Sequence, residues 1–386
     1  MPNELGESYL TSIRERYKKG SKKERSLILK EFCSVSGYER KYAAKFIKKK
    51  QHLKKQKPGP KATYNDHVVH HLKYLWERMN HMCSKKLVAA IPLWMPFYKD
   101  VDAETKRLLL QISPATVDRL LKPARSSFAG RGISTTIPSM IKHRIPIKLL
   151  DQSIDEPGFV ETDTVAHCGD NIAGSYAHSL TVTDLFSGWT ENRASFTKAA
   201  EAVLEQMKDI ERSVPFFLLG VACDNGSEFL NDLMLMYMKP KVGRQVDFVR
   251  RRPYKKNDQA HVEQKNFTHV RELFGYDRFD HRELHLLMNE IYKAYWNPLW
   301  NYFTPVMKLK KKTRIGSKIK KEYDDPKTPF QRLLESAKVH PVTKRKLIEN
   351  YNSKNPFSLQ EELDRKLKIF FRIVEMKKSE DKKTGS

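Results

Sequence analysis

Long apolar runs are missing from this 386-residue chain: no stretch of 18 or more apolar residues occurs, so no segment reads as a membrane span. Its start, MPNELGESYL, lacks the basic-then-apolar order of a secretory leader, and a soluble, cytoplasmic protein is expected. Cysteine is scarce. Cys33, Cys83, Cys168 and Cys223 are scattered and form no C-x-x-C pair, which argues against a disulfide framework and against a closed four-ligand zinc site. Acidic residues are also short: 46 Asp and Glu stand against 72 Lys and Arg, a net charge of +26. Such an excess implies a polyanionic partner, because each phosphate neutralised releases condensed counterions. The deficit is uneven, however. Residues 151–235 hold 15 acids against 4 bases, a net of −11, so the remainder carries +37. An acidic island in a basic protein calls for a cation, either a metal ion or an interdomain partner; a solvated acidic face is the plainer alternative.

What is present begins with helical periodicity. Leu5, Tyr9, Ile13 and Tyr17 share a helix face, Ser21 and Glu24 match a capping box that opens a helix through Phe32, and Ser36-Gly37 ends it. Tyr42, Ala43, Phe46 and Ile47 mark a third short helix, a pattern that fits a helix-turn-helix or an ordinary small bundle. The segment KKKQHLKKQKPGPKAT from Lys48 to Thr63 carries seven lysines around Pro-Gly-Pro and reads as a linker. A second helical region follows, with Val69, Leu72, Leu75, Trp76 and Met79 as one stripe and Ser113-Pro114 as a helix start. From Phe159 the period turns extended. Strands are expected at Phe159–Ala166, Tyr176–Phe186, Trp189–Ser195, Phe216–Cys223 and Val246–Arg250, with helices at Lys198–Arg212, Ser227–Met238 and from about Asn257. Three strands able to pair as a meander, then alternating helices and strands, describe a mixed sheet flanked by helices.

Three acids stand out by placement. Asp163 lies in the strand FVETDTVA, Asp224 directly follows the apolar strand FFLLGVAC, and Glu263 lies in the helical stretch NDQAHVEQKNF, with 38 residues between the last two. Carboxylates at strand ends of α/β proteins point into the cleft there, and three that converge are costly unless cations neutralise them. Two Mg²⁺ (or Mn²⁺) ions would do so. At about 100° per residue, Gln259 and Asn266 fall within roughly 60° of Glu263, as second-layer support, while Asp258 and Glu272 fall on the opposite side. Arg250, Arg251, Arg252, Lys255 and Lys256 form a basic run before that helix, suited to hold the phosphates of a nucleic-acid strand. Farther on, Val306–Glu322 contains eight basic residues and one acid, interleaved with Met307, Leu309 and Ile319 as an extended segment or small barrel, and a helical end carries the stripe Leu363, Leu367, Phe370, Phe371 and Val374.

The segments ETDTVAH, TVTDLFSGWTE, CDNGSEF, KKNDQAHVEQKN and TPVMKLKKKTRIGSK resemble integrase-core transposases of bacterial insertion sequences, and KPGPKATY is similar to the linker after their first helix-turn-helix. The resemblance spans roughly residues 5–334. It implies a multidomain protein: a helix-turn-helix DNA-binding unit at 1–50, a basic linker at 51–64, a second helical or helix-turn-helix DNA-binding region at 65–126, an α/β ribonuclease H-like catalytic core at 150–280, and a basic C-terminal region with terminal helices at 281–386. It also implies that Asp163, Asp224 and Glu263 are the catalytic, metal-holding acids, although the interval before the third is slightly longer than the family's usual 35 residues. Implied with them are two divalent ions, double-stranded DNA partners (terminal repeats and target) and a homodimer or larger assembly. Two other readings stay open: a catalytically silent DNA-binding regulator derived from a transposase, and a nuclease of the same fold that cuts without joining.

Overall fold

The computed structural model describes residues 7–48, 63–125, 154–223, 226, 228–229, 231–239, 246–250, 264–315 and 318–384. Two compact units divide the chain, Met1–Thr63 and Tyr64–Ser386. In the first, helices α1 (Glu7–Lys19), α2 (Lys22–Ser36) and α3 (Arg40–Lys48) surround Ile13, Ile28, Leu29, Phe32, Ala43 and Ile47. The capping box at the start of α2 is complete: Ser21 N donates to Glu24 Oε2 at 2.6 Å, and Glu24 N donates back to Ser21 Oγ at 3.5 Å. Gly37 ends that helix at φ 69°, a left-handed conformation that glycine adopts without a Cβ clash.

The second unit opens with α4 (Asp66–Arg78), α5 (Ser84–Trp94), α6 (Ala103–Leu110) and α7 (Pro114–Arg125), of which α4, α6 and α7 are capped by Asn65, Asp102 and Ser113. These helices have no core of their own. Leu72, Leu75, Leu87 and Trp94 belong to one hydrophobic cluster with Phe274, Tyr292, Phe303 and Phe370 from the far end of the chain. Trp94 is fully buried, meets Phe357 edge-on at 5.0 Å and donates its indole N–H to Phe303 O at 3.3 Å.

The centre of this unit is a five-stranded sheet formed by β1 (Phe159–Ala166), β2 (His178–Asp184), β3 (Thr190–Ser195), β4 (Gly220–Cys223) and β5 (Asp247–Arg250), in the order β3-β2-β1-β4-β5. The first three strands form an antiparallel meander, and β4 and β5 add in parallel to β1. This is the mixed sheet with flanking helices that the alternation of strand and helix periods predicts. Val160, Leu180, Val182 and Val221 line one face and pack on Val203, Met207 and Ile210 of α8 (Ala200–Ser213) and on Met234 and Met238 of α9 (Asp232–Met238). The other face is polar yet buried, with Thr181 bonded to Asn192, Thr183 to Thr190, and Ser179, Thr190 and Asn192 reached by Tyr292, Asn301 and His269 from the covering helices. Tyr292 Oη lies 2.9 Å from Ser179 Oγ. The edge strand β3 is sealed by side chains. Asn289 and Asn301 each accept from and donate to the backbone of one residue, Ala194 and Thr190 respectively, at 2.7–2.9 Å. An edge that would otherwise recruit another strand is thereby closed.

After the sheet, residues 264–274 are helical, with a wide-wound π segment at Asn266–Arg271. α10 (Arg282–Ile291), a second π segment at Tyr292–Trp296 and α11 (Asn297–Phe303) follow. A two-stranded ribbon, β6 (Leu309–Ile315) and β7 (Lys318–Tyr323), precedes α12 (Pro329–Glu335), α13 (Pro341–Asn352) and α14 (Pro356–Thr384). Among the described residues no helix is long and apolar enough to cross a membrane.

Candidate active site

Asp163 sits in β1, the middle strand, on the face it shares with Thr181 of β2 and, through the β2–β3 register, with Asn192 of β3. Its half-buried carboxylate accepts from its neighbour's backbone, Thr164 N, at 2.8 Å, and from the Asn266 side-chain amide at 2.6 Å. Asn266 therefore links the helix at 264–274 to the central strand. Its own Oδ1 is buried and has no hydrogen-bond partner among the described residues. A polar chain runs beside this pair. Asn192 donates to Thr181 Oγ1 at 2.9 Å, His269 Nδ1 lies 3.3 Å from Asn192 Oδ1, and Lys265 Nζ lies 3.3 Å from His269 Nε2. One tautomer satisfies every member: Nδ1 carries the hydrogen and gives it to Asn192, while Nε2 accepts from Lys265. Burial holds His269 neutral, well below the ordinary imidazole range, and pushes Lys265 down to about 7, with Lys86 adding repulsion. Trp300 lies under the Lys265 ammonium, 5.4 Å from its ring centre.

The parallel β1–β4 pairing ends at Thr162 opposite Cys223. Asp163 is the residue after Thr162, and Asp224 is the residue after Cys223. Asp224 and Glu263 lie outside the described residues, as do Gln259, Arg251, Arg252, Lys255 and Lys256; the backbone of Arg250 ends β5 beside Cys223. Of the site residues expected from sequence, the structure brings together Asp163 and Asn266 directly.

Sequence reasoning missed Glu228. This glutamate is 2% exposed, accepts from Thr164 Oγ1 at 2.9 Å and pairs with Lys198 Nζ at 2.8 Å, while its second oxygen is buried without a hydrogen bond among the described residues. A Cβ on Gly226 would run into the Glu228 carboxylate, so a larger residue there would displace that side chain. Glu228 thus ties the segment after β4 to β1, one residue from Asp163. The signal was present in the motif CDNGSEF, but an acid following a turn looks solvated until its burial is seen. Glu161 is also buried. His167 is fully buried, stacks on Phe279 at 4.9 Å and faces Ser179 Oγ at 2.8 Å, and burial holds it neutral.

A mixed sheet with an acid on its middle strand defines an α/β protein with its candidate site at the carboxyl end of the parallel pair. The chain belongs to the family of the uncharacterized protein y4rM of Sinorhizobium fredii (strain NBRC 101917 / NGR234), to which it is 33% identical over 328 residues, 83% of this chain and 93% of that protein. No protein-family profile matches it. Among solved structures it is similar to the HTLV-2 integrase catalytic core domain in complex with magnesium, in its dimeric form, at 17% identity over 30% of this chain and 70% of that one, with a TM-score of 0.23. It is also similar to a chain of the simian T-cell lymphotropic virus intasome in complex with PP2A regulatory subunit B56 gamma, at 14% identity over 48% of this chain and 59% of that one, with a TM-score of 0.25.

Proposed function

We propose that the protein is a DNA transposase of the Asp-Asp-Glu type with a ribonuclease H-like core, acting on the ends of a mobile element and on target DNA. The observation that carries the reading is the Asn266–Asp163 hydrogen bond, which joins the helix that follows Glu263 to the central strand. It is supported by a β1–β4 register whose last pair, Thr162 and Cys223, directly precedes the two aspartates in sequence. Carboxylates at such strand ends share a cleft.

Carboxylate and amide oxygens suit a hard divalent ion, and the unpartnered Asn266 Oδ1 shows polar capacity left over beside Asp163. Asp163, Asp224 and Glu263 would hold two Mg²⁺ or Mn²⁺ ions, whose chemistry is to make a water or a 3′-hydroxyl nucleophilic and to stabilise the departing oxygen. The protein's own groups divide the remaining work. Asn266 fixes the Asp163 carboxylate so that it need not reorganise during reaction, a supporting role of the kind second-layer groups play. Arg250, Arg251, Arg252, Lys255 and Lys256 hold phosphates on either side of the scissile bond. Residues 1–126 supply the helix-turn-helix units that select the terminal DNA, and two protomers or more bring both ends together. The test is a strand-transfer assay using a pre-cut duplex that carries the DNA flanking the gene. Joined product should form in Mg²⁺ and vanish in EDTA. Cutting without joining would point to a nuclease, and specific binding with neither activity to a silent regulator.

A further inference from the structure

We infer that the β6–β7 ribbon is a DNA probe that inserts edge-on into the major groove of B-form duplex, a function resting on the transposase reading. The ribbon is chemically unlike the rest of the sheet structure. Its backbone register sets Lys312 opposite Lys321 and Thr313 opposite Lys320, with Lys311 opposite Glu322. Like charges directly across a strand pair are destabilising, and an isolated two-stranded hairpin is marginal in water even without them. A ribbon covered by protein would carry one apolar face. Here Leu309, Lys310 and Lys311 of one strand and Lys320, Lys321, Glu322 and Tyr323 of the other are all exposed. Such a sequence is kept extended by a partner that supplies negative charge along both sides.

The base of the ribbon is built to bear it. Val306 and Lys327 exchange backbone hydrogen bonds at 2.9 and 3.2 Å, Asp324 N donates to Lys308 O at 2.9 Å, and Arg332 clamps Asp324 at 2.6 Å. Lys308 reaches across to Phe186 O, in the turn between β2 and β3, at 2.7 Å. The stalk is thus tied to the central sheet while Leu309, Lys310, Lys311 and Lys320, Lys321, Glu322, Tyr323 are exposed. Seven residues of strand reach roughly 20 Å at about 3.3 Å each. A two-stranded ribbon fits the B-DNA major groove, which is about 12 Å wide, whereas the major groove of A-form RNA is too deep and narrow to admit it.

The experiment measures equilibrium binding of the full-length protein to a 30-base-pair random-sequence DNA duplex and to the RNA duplex of the same sequence, across a salt series. The variant replaces Lys310, Lys311, Lys320 and Lys321 by alanine, and a second variant replaces the same four by arginine. Each lost phosphate contact should flatten the log–log salt slope by about 0.9, so the alanine variant should lose between about 2 and 4 from its DNA slope. The arginine variant should keep the wild-type slope, and RNA binding should be unchanged in both. An alanine variant with the wild-type DNA slope overturns the ribbon as a DNA contact, and an equal loss on RNA overturns the groove assignment. Wild-type protein with no affinity for duplex DNA at any salt would overturn the ribbon and the transposase reading together; a binding wild type with an unaffected variant overturns the ribbon alone.

Discussion

Asp163 and Glu228 lie on opposite sides of the same short piece of β1, and their environments assign them different work. Asp163 is half-buried and accepts from the Asn266 amide and the Thr164 backbone N–H. Glu228 is sealed in, with Thr164 and Lys198 on one oxygen. Removing a buried acceptor leaves its donors without partners, a cost of roughly 1–3 kcal/mol. Glu228→Ala should therefore lower the melting temperature by several degrees and reduce the strand-transfer rate at least tenfold, with affinity for duplex DNA within twofold of wild type. A rate unchanged by the substitution would show that Glu228 only fills space. At this scale the sequence told part of the story. It singled out Asp163 and Asn266 by strand and helix phase, but passed over Glu228, because burial of a single acid depends on which loop folds over it, and that is a tertiary fact.

Elements were legible where one period ran long enough. Strands expected at Tyr176–Phe186 and Trp189–Ser195 appear as His178–Asp184 and Thr190–Ser195, and the helix expected at Lys198–Arg212 appears as Ala200–Ser213. The helix expected at Ser227–Met238 begins only at Asp232, because Gly226 and Glu228 make a turn and Asn231 supplies the cap, its Oδ1 accepting from Met234 N at 2.9 Å. The π segment at Asn266–Arg271 was invisible to a 3.6-residue period. That winding shifts the phase of every residue after it, and His269 and Val270 within it are fully buried. Less legible still was the placement of α4–α7. Their stripes were plain, but nothing local says that the partner surface lies 200 residues away. Trp94 tests this directly. Trp94→Ala should cost roughly 3–5 kcal/mol, and denaturation of residues 64–386 should stay a single transition at lower denaturant. An unaffected transition at higher denaturant, with a new early one, would mean that these helices unfold independently.

For the whole molecule, buried histidines set the response to acid. His167, His178 and His269 are neutral in the fold: burial lowers His178 to about 4 and the other two well below the ordinary value of 6.5. A depressed histidine contributes stability that is fully present above about pH 6.5 and is lost as pH falls through the folded value, because the unfolded chain takes up the proton first. Asp184 works in the opposite sense. Burial raises it to about 6 against hydrogen bonds from Ser187 and Gly158, so its contribution is present at low pH and fades as pH rises through 6. Three groups against one leave a net loss of stability on acidification from these groups. Urea midpoints at pH 7.5 and 5.5 should therefore differ, with the lower pH less stable; equal midpoints would mean that the imidazoles are charged in the native state.

Under the proposed function, the net charge of +26 serves DNA and the acidic island of residues 151–235 serves divalent ions at the central sheet. The most direct test is strand transfer in Mg²⁺ by Asp163→Asn, Asp224→Asn, Glu263→Gln and Glu272→Gln, each assayed beside its DNA affinity. The account predicts that the first three lose joining by at least a hundredfold while binding DNA as wild type does, and that Glu272→Gln stays active within a few-fold. Joining that survives in Glu263→Gln and disappears in Glu272→Gln would contradict it.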